Sequence, residues 1–235
     1  MIVTPGVPGV RGAGASTEAA SVTLIRAADL VATPWKNGGG VTREVAAFPE
    51  GATLDSFVWR VSIADVAQPG PFSRFEGIDR TLVLLSGAGM LLDAANGPAH
   101  ALTQALDMAH FAGESAIDAR LVDGATRDFN LMVRRGVASG EVEVWSAHGE
   151  GSASAAQVHR LSADVVLLFC AAGSLEVTLG DTAPIALTAD DTLLIDALDT
   201  TPDAVTCKIS GEGALLAIRI HYAFHRPQQA ATSTR

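Results

Sequence analysis

Residues 56–64, Ser-Phe-Val-Trp-Arg-Val-Ser-Ile-Ala, alternate with a period of two, and that pattern restricts this part of the chain to a strand. Successive side chains of a strand point to opposite faces. Phe57, Trp59, Val61 and Ile63 therefore share one face, and Val58, Arg60, Ser62 and Ala64 share the other. An arginine and a serine beside small apolar residues suit a lumen that holds a polar ligand; a solvated outer face is the competing reading. Residues 127–134 repeat the pattern, with Asp128, Asn130, Met132 and Arg134 on one face and Phe129, Leu131 and Val133 on the other. Further strands are predicted over Val22 to Ala27, Val41 to Phe48, Thr81 to Leu85 (opened by Arg80) and Met90 to Asp93. Gln68-Pro69-Gly70-Pro71 and Asn96-Gly97-Pro98 read as turns between them. No long amphipathic helix is evident, and Ala153 to Arg160 reads as a helical or coil connector. The chain is predicted to be all-β.

A chain of 235 residues can form one large β domain or two small ones with an adequate core. Its formal net charge of −10 argues against a nucleic-acid or anionic-membrane surface, so an anionic ligand must be held by locally placed arginines. The two cysteines, Cys170 and Cys207, lie in apolar surroundings and read as buried thiols of a reducing, cytoplasmic compartment. No apolar run reaches membrane-spanning length. Residues 1–20 carry Pro5, Pro8 and repeated Gly, Ala and Ser, and are expected to form a disordered extension; 227–235 is expected to be a tail.

Pro34-Trp35-Lys36-Asn37-Gly38-Gly39-Gly40-Val41-Thr42-Arg43-Glu44 crowds an aromatic, a flexible turn, a hydroxyl and a charged pair into eleven residues. Gly38, Gly39 and Gly40 permit positive φ and close approach to a ligand, and their N–H groups can converge on an anion. A plain hairpin turn is the simpler alternative. Strand parity sets Arg43 opposite Glu44, so a regular strand cannot aim both inward; sequence leaves the choice open. Ser73 and Phe75 fall in a loop rich in aromatic and polar groups, Phe72 to Gly77. A carboxylate prefers a planar guanidinium, which makes Arg43, Arg60 and Arg80 candidate anchors. Glu44 and Asp128 can accept from a ligand amide or hold those arginines in place, while Lys36 and Arg74 are expected at the mouth or on the solvated rim. The candidate ligand-binding set is Trp35, Asn37, Gly38, Gly39, Gly40, Thr42, Arg43, Glu44, Trp59, Arg60, Ser62, Ser73, Phe75, Arg80, Asp128 and Asn130.

An internal repeat organises the chain. Gly89-Met90-Leu91-Leu92 matches Gly173-Ser174-Leu175-Glu176, and at the same offset of 173 − 89 = 84 Asp107 meets Asp191, Leu131 meets Leu215 and Arg135 meets Arg219. Two units of short antiparallel strands, a double barrel or paired jelly roll, are implied. The first, 21–136, holds most of the unusual polar residues; the second, 137–226, reads as scaffold. Six histidines are present (His100, His110, His148, His159, His221, His225), none in a His-x-His pair or in the candidate segments, so no metal site is expected. No Gly-x-Ser-x-Gly elbow occurs, so no serine-type triad is assigned.

The segments Trp35 to Glu44, Trp59 to Ala64, Gly70 to Arg80 and Asp128 to Arg135, in this order, resemble the signature of the HutD/Ves family across roughly residues 24–222. The resemblance implies a bicupin of the RmlC-like jelly-roll type. It also implies a link to histidine utilisation, as a sensor or modulator binding a small carboxylate such as N-formylglutamate or urocanate. It implies no secure enzyme activity and no cofactor. A metal-independent isomerase or amidohydrolase using Glu44 or Asp128 as base is the alternative, and a protein-interaction or dimerisation module a further one. Cupins often pair through their sheets, so a homodimer is expected by analogy.

Overall fold

The structure, a computed structural model, describes residues 20–95, 97, 99–147, 157–196 and 205–223. The expected extension apart from Ala20, the tail, residues 153–156 of the expected connector, and Asn96, Pro98, His148 and His225 lie outside the described residues. The first strands are β1 (Ser21–Ile25), β2 (Ala32–Pro34), β3 (Gly40–Phe48), β4 (Trp59–Val66), β5 (Gly70–Pro71) and β6 (Ile78–Ser86). They are followed by β7 (Met90–Ala94), β8 (His100–Leu102), β9 (Met108–Ala112), β10 (Ile117–Leu121) and β11 (Thr126–Arg134). The remainder are β12 (Ala138–Ala147), β13 (Gln157–Leu161), β14 (Val165–Leu179), β15 (Ile185–Thr188), β16 (Thr192–Asp196) and β17 (Val205–Tyr222). A 3₁₀ turn at Ala27–Asp29 is the one helical element among the described residues.

These strands build three antiparallel sheets. One has the order β2-β3-β4-β11-β6-β9, a second β5-β10-β7-β8, and the third β1-β16-β14-β17-β12, with β13 added to β17 and β15 to β14. The six-stranded sheet buries apolar side chains on both sides. Trp59, Val61, Ile63, Val83, Phe129, Leu131 and Val133 pack against Val165, Leu167, Phe169, Leu216, Ile218 and Ile220 of the seven-stranded sheet. Phe129 and Phe169 meet there with ring centroids 5.0 Å apart. On the other side Ala64, Val66, Leu82 and Leu84 pack against Met90, Leu92, Ile117 and Ala119 of the four-stranded sheet. Burying one such large side chain stabilises the fold by about 1.5–3 kcal/mol.

The seven-stranded sheet folds over a core of its own. Leu168 and Cys170 from the first half of β14 share that core with Leu175 and Val177 from its second half. The bend falls at a register shift between Cys170 and Ala172. Gly173 (φ 82°) and Gly213 (φ 150°) make it possible: a Cβ on either would lie 2.0 Å from a carbonyl oxygen of the opposing strand.

The repeat is visible in the turns. Leu106 (φ 72°) and Asp190 (φ 71°) both adopt left-handed backbone, one residue before Asp107 and Asp191. Asp107 Oδ2 accepts from the N–H groups of Thr103 and Gln104 (2.8 Å each), and Asp191 Oδ2 from that of Thr188 (3.0 Å). Each turn is tied to a neighbouring strand, through Leu106 N–H to Leu84 O (2.7 Å) and Asp190 N–H to Cys170 O (2.8 Å). The offset of 84 fails in the last strand, because Leu131 faces the contact between the sheets and Leu215 faces the second core. An odd shift separates the two strands, and parity turns every side chain over.

Two other expectations are corrected, and one strand of the first unit joins the other sheet. Gln157 to Arg160 belong to β13, not to a helical or coil connector. Phe57 precedes β4 and packs with Ile78 and Met132, apart from Trp59 and Val61. β1, counted with the first unit, pairs with β16 in the seven-stranded sheet, held there by the Arg26–Asp191 ion pair at 2.8 Å.

Candidate functional site

The strand register sets a grid of side chains on the inner face of the six-stranded sheet. Thr42, Ala64, Asp128 and Leu84 stand in one cross-strand row; Glu44, Ser62, Asn130 and Leu82 in the next; Arg60, Met132 and Arg80 in a third. All but the two leucines line a cavity of about 1090 Å³. Trp35, Lys36, Asn37, Ser73 and Phe75 line it as well, brought in by the glycine turn and by the loop before β6.

The glycine turn positions its neighbours. Gly38 has φ +70°, and its N–H is donated to Trp35 O at 3.0 Å; Trp35 N–H closes the hairpin on Gly40 O at 2.9 Å. Gly39 N–H goes to Asn37 Oδ1 at 3.0 Å. The N–H groups of Gly38 and Gly39 are thus taken up inside the turn and do not converge on an anion. A Cβ on Gly40 would lie 2.6 Å from Asp65 O and 3.1 Å from the Trp35 ring, so the bare backbone here gives the indole its seat. Trp35 Nε1 then donates to Thr42 Oγ1 at 2.7 Å.

Charge is concentrated on this wall. Arg60 Nε donates to Glu44 Oε2 at 2.6 Å and its Nη1 to Ser62 Oγ at 3.2 Å. Arg80 is only 5% exposed. Its Nη1 reaches Ser73 O at 3.3 Å, and its guanidinium lies 5.1–5.7 Å from the ring centres of Phe111, Phe72 and Phe75. Desolvation lowers the Arg80 pKa to about 10, which leaves it charged at neutral pH. Burial raises Asp128 to about 7; the nearby Arg80 charge opposes that shift and the Asp65 charge adds to it. Arg80 Nε, Asp128 Oδ2 and Asn130 Oδ1 are buried without a hydrogen-bond partner. Native proteins rarely leave such groups unmet, and a ligand or ordered water ordinarily completes them.

Five of the sequence candidates lie off the cavity wall: Arg43, Trp59 and the three glycines. Arg43 points the other way, to Asp65, whose other oxygen is 3.4 Å from Arg127; Arg127 in turn pairs with Asp190 at 2.7 Å. Thr42 and Glu44 are the residues of β3 that face inward. Trp59 stacks on Phe48 at 6.3 Å, and its Nε1 donates to Tyr222 Oη at 3.0 Å, inside the core between the sheets. Arg74 is exposed and does not line the cavity. The sequence reading passed over Phe72 and Met132 as wall residues, although Met132 shares the parity of Asp128 and Asn130. It also passed over Val31 and Leu54, large apolar side chains that line the cavity yet are 78% and 53% exposed, and single apolar residues in loops carry no periodic signal. Among the described residues no group of three or more His, Cys, Asp or Glu side chains could hold a metal ion. His110 lies on β9, with Nδ1 2.9 Å from Thr81 Oγ1, and His159 stacks on Trp145 at 3.7 Å; neither lines the cavity.

Comparison with known proteins gives the family and the fold. The HutD family model matches residues 27–217. An uncharacterised 21.2 kDa protein in the hutC 3′ region of Pseudomonas putida is 38% identical over 156 residues, 66% of this chain and 77% of that protein. Protein Ves of Citrobacter koseri is 41% identical over 111 residues, 47% of this chain and 56% of its own length. The solved structure of HutD from Pseudomonas fluorescens SBW25 superposes with a TM-score of 0.71 at 30% identity, covering 86% of this chain and 99% of that one. More distant solved structures share the fold alone, an all-β, cupin-like architecture.

Proposed function

This chain belongs to the HutD family, and from that premise we propose that it binds a small carboxylate as a sensor or modulator of histidine utilisation. The position of its Pseudomonas putida relative in the hutC 3′ region supports the pathway link. The observation that carries the reading is a pair of guanidiniums, Arg60 and Arg80, on the wall of a cavity of about 1090 Å³ in a chain of net charge −10. Such a planar cation out of bulk water favours a carboxylate by paired, charge-assisted hydrogen bonds. Trp35, Phe72 and Phe75 supply apolar walls, and Asn130, Ser62 and Thr42 supply polar contacts, a composition usual for a small-molecule site. N-formylglutamate and urocanate are the ligands of first choice. On this reading the chain is a cytoplasmic bicupin, with residues 21–136 carrying the site and 137–226 supporting it, and it pairs as a homodimer. Among the described residues no helix is long and apolar enough to cross a membrane. Titration calorimetry with the two acids tests the binding; absence of heat from both, with the protein folded, rejects it.

Asp128 favours a second reading. A buried carboxyl whose pKa is raised to about 7 is suited to general-base work near neutral pH. A metal-independent isomerase or amidohydrolase acting on an acyl amino acid would use it so. Turnover that persists in Asp128→Ala removes that assignment.

A further inference from the structure

Asp128 Oδ2, Asn130 Oδ1 and Arg80 Nε lack partners, and their residues, 1%, 7% and 5% exposed, line the same cavity. Asp128 and Asn130 stand two residues apart on one face of β11, and Arg80 lies on the adjoining strand β6. Three unmet polar atoms on one wall describe the hydrogen-bonding face of whatever completes them.

The three ask for different things. Arg80 Nε–H can only donate, so it requires an acceptor; Asn130 Oδ1 can only accept, so it requires a donor. Asp128 can serve either need, because burial raises its pKa to about 7 and the carboxyl is shared between acid and anion at neutral pH. A carboxylate offers acceptors alone and leaves Asn130 Oδ1 unmet. A secondary amide or a neutral imidazole offers an N–H and an acceptor together. Arg60 is placed differently. Its side chain is 12% exposed and that of its partner Glu44 45%, so the Arg60–Glu44 pair stands nearer solvent than Arg80, with hydrogen-bonding capacity left over from Glu44 and Ser62.

Building on the carboxylate-binding reading, we propose that the site selects acids that carry a second, uncharged group able both to donate and to accept hydrogen bonds, a secondary amide or a neutral imidazole. That group sits against Asp128, Asn130 and Arg80, and the carboxylate sits at Arg60.

Calorimetry on the full chain with two matched pairs of acids tests the selection. N-formylglutamate is compared with glutarate, which keeps both carboxylates and lacks the amide. Urocanate is compared with cinnamate, which keeps the acrylate and replaces imidazole by phenyl. In at least one pair the donor–acceptor acid binds about tenfold or more tightly than its partner. Asn130→Leu brings that pair to within about threefold while glutarate or cinnamate keeps its affinity, which also reports an intact fold. Asn130→Ala serves the same purpose where the leucine variant does not fold. Equal affinities within both pairs, the result if ordered water alone completes the three atoms, overturn the selection and leave the carboxylate reading standing. A gap that survives in the Asn130 variants overturns it too. No binding by any of the four acids removes both.

Discussion

The two cores of this protein share one kind of left-handed turn and are filled with opposite chemistry. Around the cavity, the inner faces of β4, β6 and β11 present Arg60, Ser62, Arg80, Asp128 and Asn130. In the seven-stranded sheet, β14 and β17 turn Leu168, Cys170, Leu215 and Ala217 into the interior. The left-handed turns at Leu106–Asp107 and Asp190–Asp191 are alike, so the turns do not cause the difference. Side-chain composition does. Aliphatic side chains close on one another and fill the space, whereas charged ones must keep polar partners and leave room for them. The first region therefore gathers unmet charged and amide groups on one cavity wall, whereas the second closes on a largely aliphatic interior.

Moving the chemistry of one region into the other should break the second. Leu215→Asp introduces an unpaired charge into a fully buried position and is expected to cost about 4 kcal/mol or more, read as lost soluble yield or a collapsed urea transition. A comparable soluble yield and midpoint in that variant would mean that Leu215 does not sit in a closed aliphatic interior. The reverse exchange, Arg80→Met, should reduce affinity for N-formylglutamate or urocanate about tenfold by calorimetry, the loss of one hydrogen bond from a charged donor. Stability should stay within about 1 kcal/mol of the native chain or rise, since a buried cation has been removed.

Asp128 sharpens the contrast through pH. It keeps its proton to about pH 7 in the folded state, against 3.8 for the free side chain. Between those values the folded state binds more protons than the unfolded. The contribution of this group to stability therefore falls as pH rises from about 4 to about 7 and is level above that. Asp128→Asn lacks the fall, so it should be about 1–3 kcal/mol more stable than the native chain at pH 8, with the difference closing toward pH 4. Parallel urea titrations across that range report it, and a constant difference at all pH values would contradict the assignment. The smallest effect is expected at Arg43, whose ion pair with Asp65 is partly exposed and faces away from the cavity. Arg43→Ala should cost about 0–1 kcal/mol and leave ligand affinity within about twofold; a large loss of binding would place Arg43 at the ligand after all.

Alternation alone sorted the side chains of β4 and β11 into their two faces, and the sorting of Arg60, Ser62, Asp128 and Asn130 from Val61, Ile63, Phe129 and Leu131 is the one the sheet adopts. The same parity already separated Trp59 from Arg60, and Trp59 lies in the core between the sheets. The glycine turn was legible as a special segment but not in its use: its first two N–H groups serve the hairpin, and its third glycine makes space for Trp35.

Periodicity and residue type by themselves determined that this chain is built of strands, which residues share a face, and where polar chemistry gathers. They do so because strand geometry is local and its period is two. Tertiary structure alone decided which face of β3 looks inward, how far the repeat runs before its register slips, and that Arg80 is packed among three aromatic rings. Both sides of the six-stranded sheet are buried, so hydrophobicity cannot tell the cavity side from the side facing the second core. That distinction rests on which strands pair across the sheet and what packs above it, contacts between residues far apart in the chain.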